Sequence, residues 1–235
     1  MTELRNPLFE VKTGEEPAYG GAQRWFPKRR LQNSGCGVIA CANILTQAGY
    51  IGKHSKYAVC PKDTAEGSAD RRETLRQVDR DSYMRLARTL SFYLPVIEGF
   101  GLNGIVMAMG INIYFLFHRL PFVAFWGFSK RRRDKRIEKM LSQDIPVCLA
   151  IGPNFPNLFG KHCITLYKKQ GGDYLPDTTI NAHYVSVTGM DDEWYEISSW
   201  GQHMYINKRE YDTYAKKHSG YVLSNILYVK PLRRS

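Results

Sequence analysis

Cysteine is scarce in this chain of 235 residues, which has five of them, widely spaced and without a Cys-x-x-Cys pair. A chain of this length buries a core without disulfide bonds, so scattered cysteines indicate free thiols in a reducing compartment. No apolar stretch follows a basic N-terminus, so no secretory signal peptide is visible and we expect a cytoplasmic protein. Repeats, low-complexity tracts and an obvious linker are also lacking, which favours a single domain over residues 1–235.

Long apolar segments are nearly absent as well. Residues 99–117 carry no charge, but four glycines and two asparagines interrupt them. Glycines spaced in this way usually mark the boundaries of helices and strands. We therefore predict a short helix over Asn103–Met109 and a strand over Ile111–Phe117, and no membrane span.

Acidic residues are in the minority, and the net charge is +11. The densest basic run lies in Ser129–Leu141, where a helix over Ser129–Ser142 is predicted. No nucleic-acid-binding motif accompanies the charge, so no specific nucleic-acid partner is predicted. Positive charge in the first helical turn opposes the helix dipole, which leaves room for an acidic partner at the basic run Lys130–Lys139.

The order of elements predicts an α+β fold. Residues 1–33 form an extended arm, residues 34–143 a helical part and residues 144–235 a mostly antiparallel sheet. In the helical part, helices are predicted from Cys36 to Ala48 and from a cap at Asp81 to Pro95, while residues 50–80 are mostly loop. Runs rich in β-branched and aromatic residues predict strands at 145–152, 162–168, 182–190, 194–200 and 221–229, with a short strand at 203–207 and a helix at 208–217 between the last two.

A cysteine lies between two glycines where the first apolar helix begins. If Ser34 caps this helix, Cys36 falls in its first turn, where free backbone N–H groups favour an anion and lower the thiol pKa. Gly35 and Gly37 would leave room for a substrate backbone. The alternative is a small residue packed at a tight turn.

A thiolate needs a base, and His183 is the best placed histidine because it opens a predicted strand. With a turn at residues 191–192, His183 would lie opposite Trp200. Ser198 would then share the His183 face, one diagonal step away, and could accept a hydrogen bond from the ring. Glu196 would lie on the same face, further along.

The cysteine, the histidine strand and the "SSWG" turn occur in an order that resembles the papain-like cysteine peptidase superfamily. The likeness is closer to bacterial peptidases that cleave double-glycine leader peptides, and it covers roughly residues 30–45 and 137–229. It implies a papain-like fold in which the helix of the nucleophile packs on the sheet. It also implies that the chain is a cysteine peptidase or amidohydrolase that acts on a peptide or protein substrate.

Carried over to this chain, the resemblance implies Cys36 as the nucleophile and His183 as the general base and acid. Ser198 takes the place of the usual Asn or Asp, and Trp200 joins Gly35 and Gly37 in binding substrate. The family's oxyanion glutamine is assigned to Gln32, with Gln23 as the alternative.

Two other functions remain open. The same site would be an acyltransferase if another nucleophile replaced water. The serine at position 198 also allows a catalytically silent module that binds a peptide or protein partner. No cofactor is predicted, and no metal, because the spacing of Cys36, Cys41, His54 and Cys60 matches no common zinc pattern.

Overall fold

Alternating apolar residues in the second half of the chain form most of a large antiparallel sheet. The computed structural model describes residues 2–14, 16–49, 77–99, 101–155 and 161–232. Its strands are β1 (Thr2–Glu3), β2 (Glu10–Lys12), β3 (Ala18–Tyr19), β4 (Gln77–Asp79), β5 (Phe122–Trp126), β6 (Val147–Ile151), β7 (Ile164–Gln170), β8 (Asp173–Ile180), β9 (His183–Met190), β10 (Trp194–Ser199), β11 (Gln202–Asn207) and β12 (Ile226–Pro231).

Nine of these strands form one sheet within the described part of the chain. Its order is β5-β12-β6-β9-β10-β11-β7-β8, and β1 pairs with the C-terminal end of β9. All these pairings are antiparallel. The strands β3, β2 and β4 form a small separate sheet. The strand β9 therefore lies in the middle of the large sheet, where both of its edges are paired.

The helices cover this sheet, and one of them is completely buried. They are α1 (Arg29–Ser34), α2 (Cys36–Gln47), α3 (Arg80–Tyr93), α4 (Gly104–Phe117), α5 (Arg133–Leu141) and α6 (Lys208–Tyr214). Every residue of α2 is buried, because α2 packs against β9 and β6 on one side and against α3 on the other. This confirms the predicted α+β class, with the helix that begins at Cys36 packed on a mostly antiparallel sheet.

The division into an arm, a helical part and a sheet part is less strict than predicted. The arm contributes β1 to the large sheet and contains α1, and β5 joins the same sheet from the helical part. The predicted loop at residues 50–80 lies mostly outside the described residues, and its last four residues form β4 and the first residue of α3.

The prediction of a strand over Ile111–Phe117 is wrong, because Gly104–Phe117 is one continuous helix. Asn103 caps it, because its Oδ1 atom accepts hydrogen bonds from the backbone N–H groups of Ile105 and Val106. Gly110 does not end the helix. A side chain there would collide with the carbonyl oxygen of Tyr93, so glycine lets α4 approach the end of α3. In the part of the chain that the structure describes, no helix is long and apolar enough to cross a membrane.

Two predicted helix caps are also wrong. Ser34 is the last residue of α1, and Gly35 is the N-cap of α2 without a side-chain hydrogen bond. Asp79, two residues before Asp81, caps α3 by accepting a hydrogen bond from the backbone N–H of Ser82. Both helices therefore begin close to the predicted positions but are capped by other residues.

Candidate active site

The thiol of Cys36 lies at the N-terminus of α2, where only 8% of the residue is exposed. A side chain at Gly35 would collide with the carbonyl oxygen of Leu31, so the junction between α1 and α2 requires glycine. Gly37 packs closely against the ring of Tyr184. The predicted open approach for a substrate backbone beside these two glycines is therefore wrong, because a backbone carbonyl at Gly35 and side chains at Gly37 occupy that space.

His183 is the first residue of β9 and is 7% exposed. Its Nε2 atom lies 3.0 Å from the Oγ atom of Ser199. Its ring packs on the indole of Trp200, with 4.6 Å between the ring centroids. Trp200 and Gly201 both have positive φ, 53° and 78°, in the two-residue turn that joins β10 to β11. This turn holds the indole against the imidazole.

Ser199, and not Ser198, is the partner of His183, because a β-bulge changes the register of β9 and β10. The register shifts between residues 196 and 197, so that Ser198 pairs with Ser186. A shift of one residue turns every following side chain to the opposite face of the sheet. The predicted contact between Ser198 and His183 is therefore wrong by one position.

Ser198 instead helps to hold the N-terminal segment beside the thiol. Its hydroxyl donates a hydrogen bond of 2.6 Å to the carbonyl oxygen of Tyr19, whose N–H donates to the carbonyl of Gly201. Gly21, two residues after Tyr19, donates its backbone N–H to the Oδ1 atom of Asn43 on α2. These bonds tie the arm to both the sheet and the buried helix.

Of the two candidate glutamines, Gln23 lies at the site and Gln32 does not. The side chain of Gln32 donates to the carbonyl of Phe26 and lines neither cavity beside the thiol. Gln23 lines a small cavity together with Cys36 and His183. Its Nε2 atom donates to the carbonyl of Gln32, and its Oε1 atom is buried with no hydrogen-bond partner among the described residues.

Cys36 and His183 lie between this small cavity, of about 10 Å³, and an open cleft of about 650 Å³. The smaller space holds about one water molecule. One wall of the cleft comes from residues 101–104 and 106, before and at the start of α4, and another from residues 150–153, at the end of β6 and just after it. Glu98 is the one charged side chain among the described residues that line it. The cleft is therefore apolar and large enough for several residues of a peptide.

Burial sets the protonation of both groups. It raises the pKa of the Cys36 thiol, although backbone N–H groups, including that of Tyr184, act in the opposite direction. Burial also lowers the pKa of His183 to about 4. The prediction of a lowered thiol pKa is therefore wrong, since desolvation outweighs the helix N-terminus. The resting pair is a neutral thiol and a neutral imidazole.

Part of the basic run is neutralised within the chain. The side chain of Arg133 is fully buried and bonds at 2.8 Å to Asp212, which also binds Lys130. Four other basic side chains of the run are exposed, those of Arg131, Arg132, Lys135 and Lys139. An acidic partner at this run stays a prediction. Among the residues that the structure covers, no three His, Cys, Asp or Glu side chains are close enough to hold a metal ion.

Comparisons with known proteins find little. No family model matches the chain, and no curated protein matches it. One solved structure is similar, that of a chain from Bacillus anthracis described as a candidate C39-like peptidase. It is 15% identical, with a TM-score of 0.46, and the match covers 95% of this chain and 99% of that one. These values are too low to assign a function to the chain.

Proposed function

We propose that this protein is a papain-like cysteine peptidase or amidohydrolase whose nucleophile is Cys36 and whose general base is His183. One observation carries the proposal. A thiol at the start of a buried helix and an imidazole at the start of the adjacent strand line the same cleft, and a buried hydroxyl lies at hydrogen-bond distance from the Nε2 atom of that imidazole. A positioned base beside a nucleophile, itself oriented by a third group, is the usual arrangement for nucleophilic catalysis.

His183 is suited to act as a base because it is neutral at ordinary pH. With its pKa at about 4, the ring has a free lone pair at pH 7. If the Nε2–H donates to Ser199, the lone pair is on Nδ1, where it accepts the proton of the Cys36 thiol as the sulfur attacks. In this tautomer the hydroxyl of Ser199 accepts the hydrogen bond from Nε2–H, and it supplies no negative charge to the imidazolium.

The reaction then follows in balanced steps. The sulfur bonds to the carbonyl carbon, and the backbone N–H of Cys36 donates to the developing oxyanion. The side chain of Gln23 is the second donor, for which it must release the carbonyl of Gln32. The C–N bond breaks as His183 protonates the leaving amine. Water adds to the thioester, gives its proton to His183, and releases a carboxylic acid and the thiol.

The size and apolar lining of the cleft favour a peptide over a small amide as the substrate. Cleavage of a leader peptide after two glycines is the narrower form of the proposal, and it is based on the resemblance of the sequence. Acyl transfer would use the same residues with an amine or alcohol in place of water.

The second candidate is a catalytically silent module that binds a peptide in the same cleft. The neutral resting pair and the hydroxyl in place of a carboxylate or amide both favour it. The two candidates differ in whether Cys36 ever forms a covalent bond to a bound peptide.

The test is digestion of a peptide library by the full chain, with products identified by mass spectrometry, alongside trapping with peptidyl chloromethylketones. We expect cleavage and labelling of Cys36, both lost in Cys36→Ala and His183→Ala. Ser199→Ala should lower kcat/KM about 10- to 100-fold, because the imidazolium loses its only side-chain hydrogen bond in the described site. Peptide binding without cleavage or labelling would establish the silent module instead.

Ser198→Ala is the matched control. It removes an equally buried hydroxyl from the neighbouring residue, but one that bonds to Tyr19 rather than to the ring. We expect Ser198→Ala to leave the pH dependence of kcat unchanged, whereas Ser199→Ala alters it. An identical effect of both substitutions on the pH profile would exclude a specific role for Ser199.

A further inference from the structure

The outward side of α4 is apolar along its whole length. Six of its side chains are between 40% and 75% exposed, and we call them the α4 face: Ile105, Val106, Met109, Ile113, Leu116 and Phe117. They recur at helical spacing, while the opposite side of α4 packs on β5 and β12. Helices on the surface of soluble proteins normally expose polar side chains there.

The neighbouring helix extends this apolar surface. Phe92, in the last turn of α3, is 87% exposed. The next residue, Tyr93, packs its ring against those of Tyr114 and Phe117 on α4. The last turn of α3, which carries Phe92, therefore packs beside the C-terminal part of α4. Exposed apolar patches of this kind usually mark a binding surface.

The charged side chains on and next to the two helices are mostly basic. From residue 82 to residue 119 the chain has three arginines and a single acidic residue, Glu98. Arg85 and Arg88 are exposed on α3, and Arg88 precedes Phe92 by one helical turn on the same side. Arg119, also exposed, follows directly after α4. The apolar surface thus has a basic border.

We propose that the α4 face binds the surface of a membrane that contains anionic lipids. Aliphatic and aromatic side chains would enter the region between headgroups and acyl chains, and the arginines would bind lipid phosphates. A protein partner fits less well, because protein interfaces carry about one hydrogen bond per 100–200 Å² and no side chain of the α4 face can form one. A second copy would bring two basic borders together, which costs energy.

The cleft would then open close to the lipid. Val106 belongs to the α4 face and also lines the cleft beside Cys36. This placement does not depend on the proposed peptidase activity, and vesicle binding can be measured with the Cys36→Ala variant.

The experiment is sedimentation of the full chain with vesicles of phosphatidylcholine, with and without about one third phosphatidylglycerol. We expect binding to the anionic vesicles only. Ile113→Glu should weaken this binding about tenfold or more, because it places a charge where the α4 face would enter the apolar part of the membrane. The matched control is Leu175→Glu, since the two positions are 47% and 46% exposed and Leu175 lies on β8, at the sheet edge opposite β5.

A second pair of variants tests the basic border. Arg88→Gln should weaken binding to anionic vesicles about fivefold, whereas Arg209→Gln, on α6 beside β7 and β11, should not. Absence of binding, or equal binding by Ile113→Glu and the native chain, would overturn the proposal. So would a dimer in solution that Ile113→Glu dissociates while vesicles have no effect.

Discussion

The protonation of the resting site can be measured without knowing the substrate, through the rate at which iodoacetamide alkylates Cys36. Burial raises the pKa of this thiol and lowers that of His183 to about 4. Only the thiolate reacts, so the rate should rise about tenfold for each pH unit between pH 6 and pH 8. His183→Ala should keep that slope, because the neutral ring does not stabilise a thiolate. Digestion and mass spectrometry distinguish Cys36 from Cys163, which is exposed and serves as an internal reference.

A carboxylate at position 199 should change this behaviour. Its charge would lie near the Nε2 atom, which is now 3.0 Å from the Ser199 hydroxyl. At about 4 Å and an effective dielectric constant of about 20, the interaction is worth up to about 4 kcal/mol, or about three pH units. Ser199→Asp should therefore raise the pKa of His183 from about 4 toward about 7 and give the alkylation profile an acid shoulder that Ser199→Ala lacks.

One result would refute this reasoning. A native profile that is flat between pH 6 and pH 8 and becomes steep in His183→Ala would mean that the site rests as a thiolate–imidazolium pair. Titration of the His183 ring by NMR provides an independent check, and no change is expected above about pH 5.

Three further predictions concern the segment and the hairpin that surround the site. Gln23→Ala should lower kcat about 100-fold with no change in the alkylation rate of Cys36, and an equal loss of both would exclude an oxyanion role. Gly21→Ala should lower the free energy of unfolding by up to about 3 kcal/mol in urea titrations, because a side chain there collides with Tyr83, and an unchanged midpoint would contradict this packing. Burial alone would raise the pKa of Glu196, but its hydrogen bonds, above all that from His203, outweigh burial and lower it. A carboxyl with a lowered folded-state pKa stabilises the fold above its unfolded pKa and loses that effect as the pH falls through the folded value. Glu196→Gln should therefore be less stable than the native chain at pH 7 and equally stable near pH 3, and a constant difference would contradict this assignment.

Local patterns predicted the elements whose signals lie within a few residues. The helix from Cys36 begins at the predicted residue, and the strand at His183 begins one residue from the predicted start. By contrast, local patterns do not predict β8, because Pro176 and two aspartates interrupt the alternation. The proline is tolerated because β8 lies at the sheet edge and the register shifts beside it. Local patterns also predict an end of helix at Gly110, although this residue is a glycine because of the close packing against α3.

The hydrogen-bond partner of His183 is also only partly predictable from local sequence patterns. Strand alternation placed a serine one diagonal step from His183, and a serine hydroxyl does bond to the ring. Its identity depends on the bulge between residues 196 and 197, where the pairing of two strands changes by one residue. No local pattern in the sequence marks that bulge, so strand alternation alone predicts Ser198 in place of Ser199.

The periodicity of neighbouring residues is enough to predict that a cysteine begins an apolar helix and that a histidine begins a later strand. Which serine and which glutamine join them depends on strand register and on the path of the arm over α2, and both of these are set by contacts between distant residues. The charge of the pair likewise depends on the folded chain. Helix position alone favours a thiolate, but the surrounding chain buries Cys36 and His183 so completely that desolvation keeps both neutral.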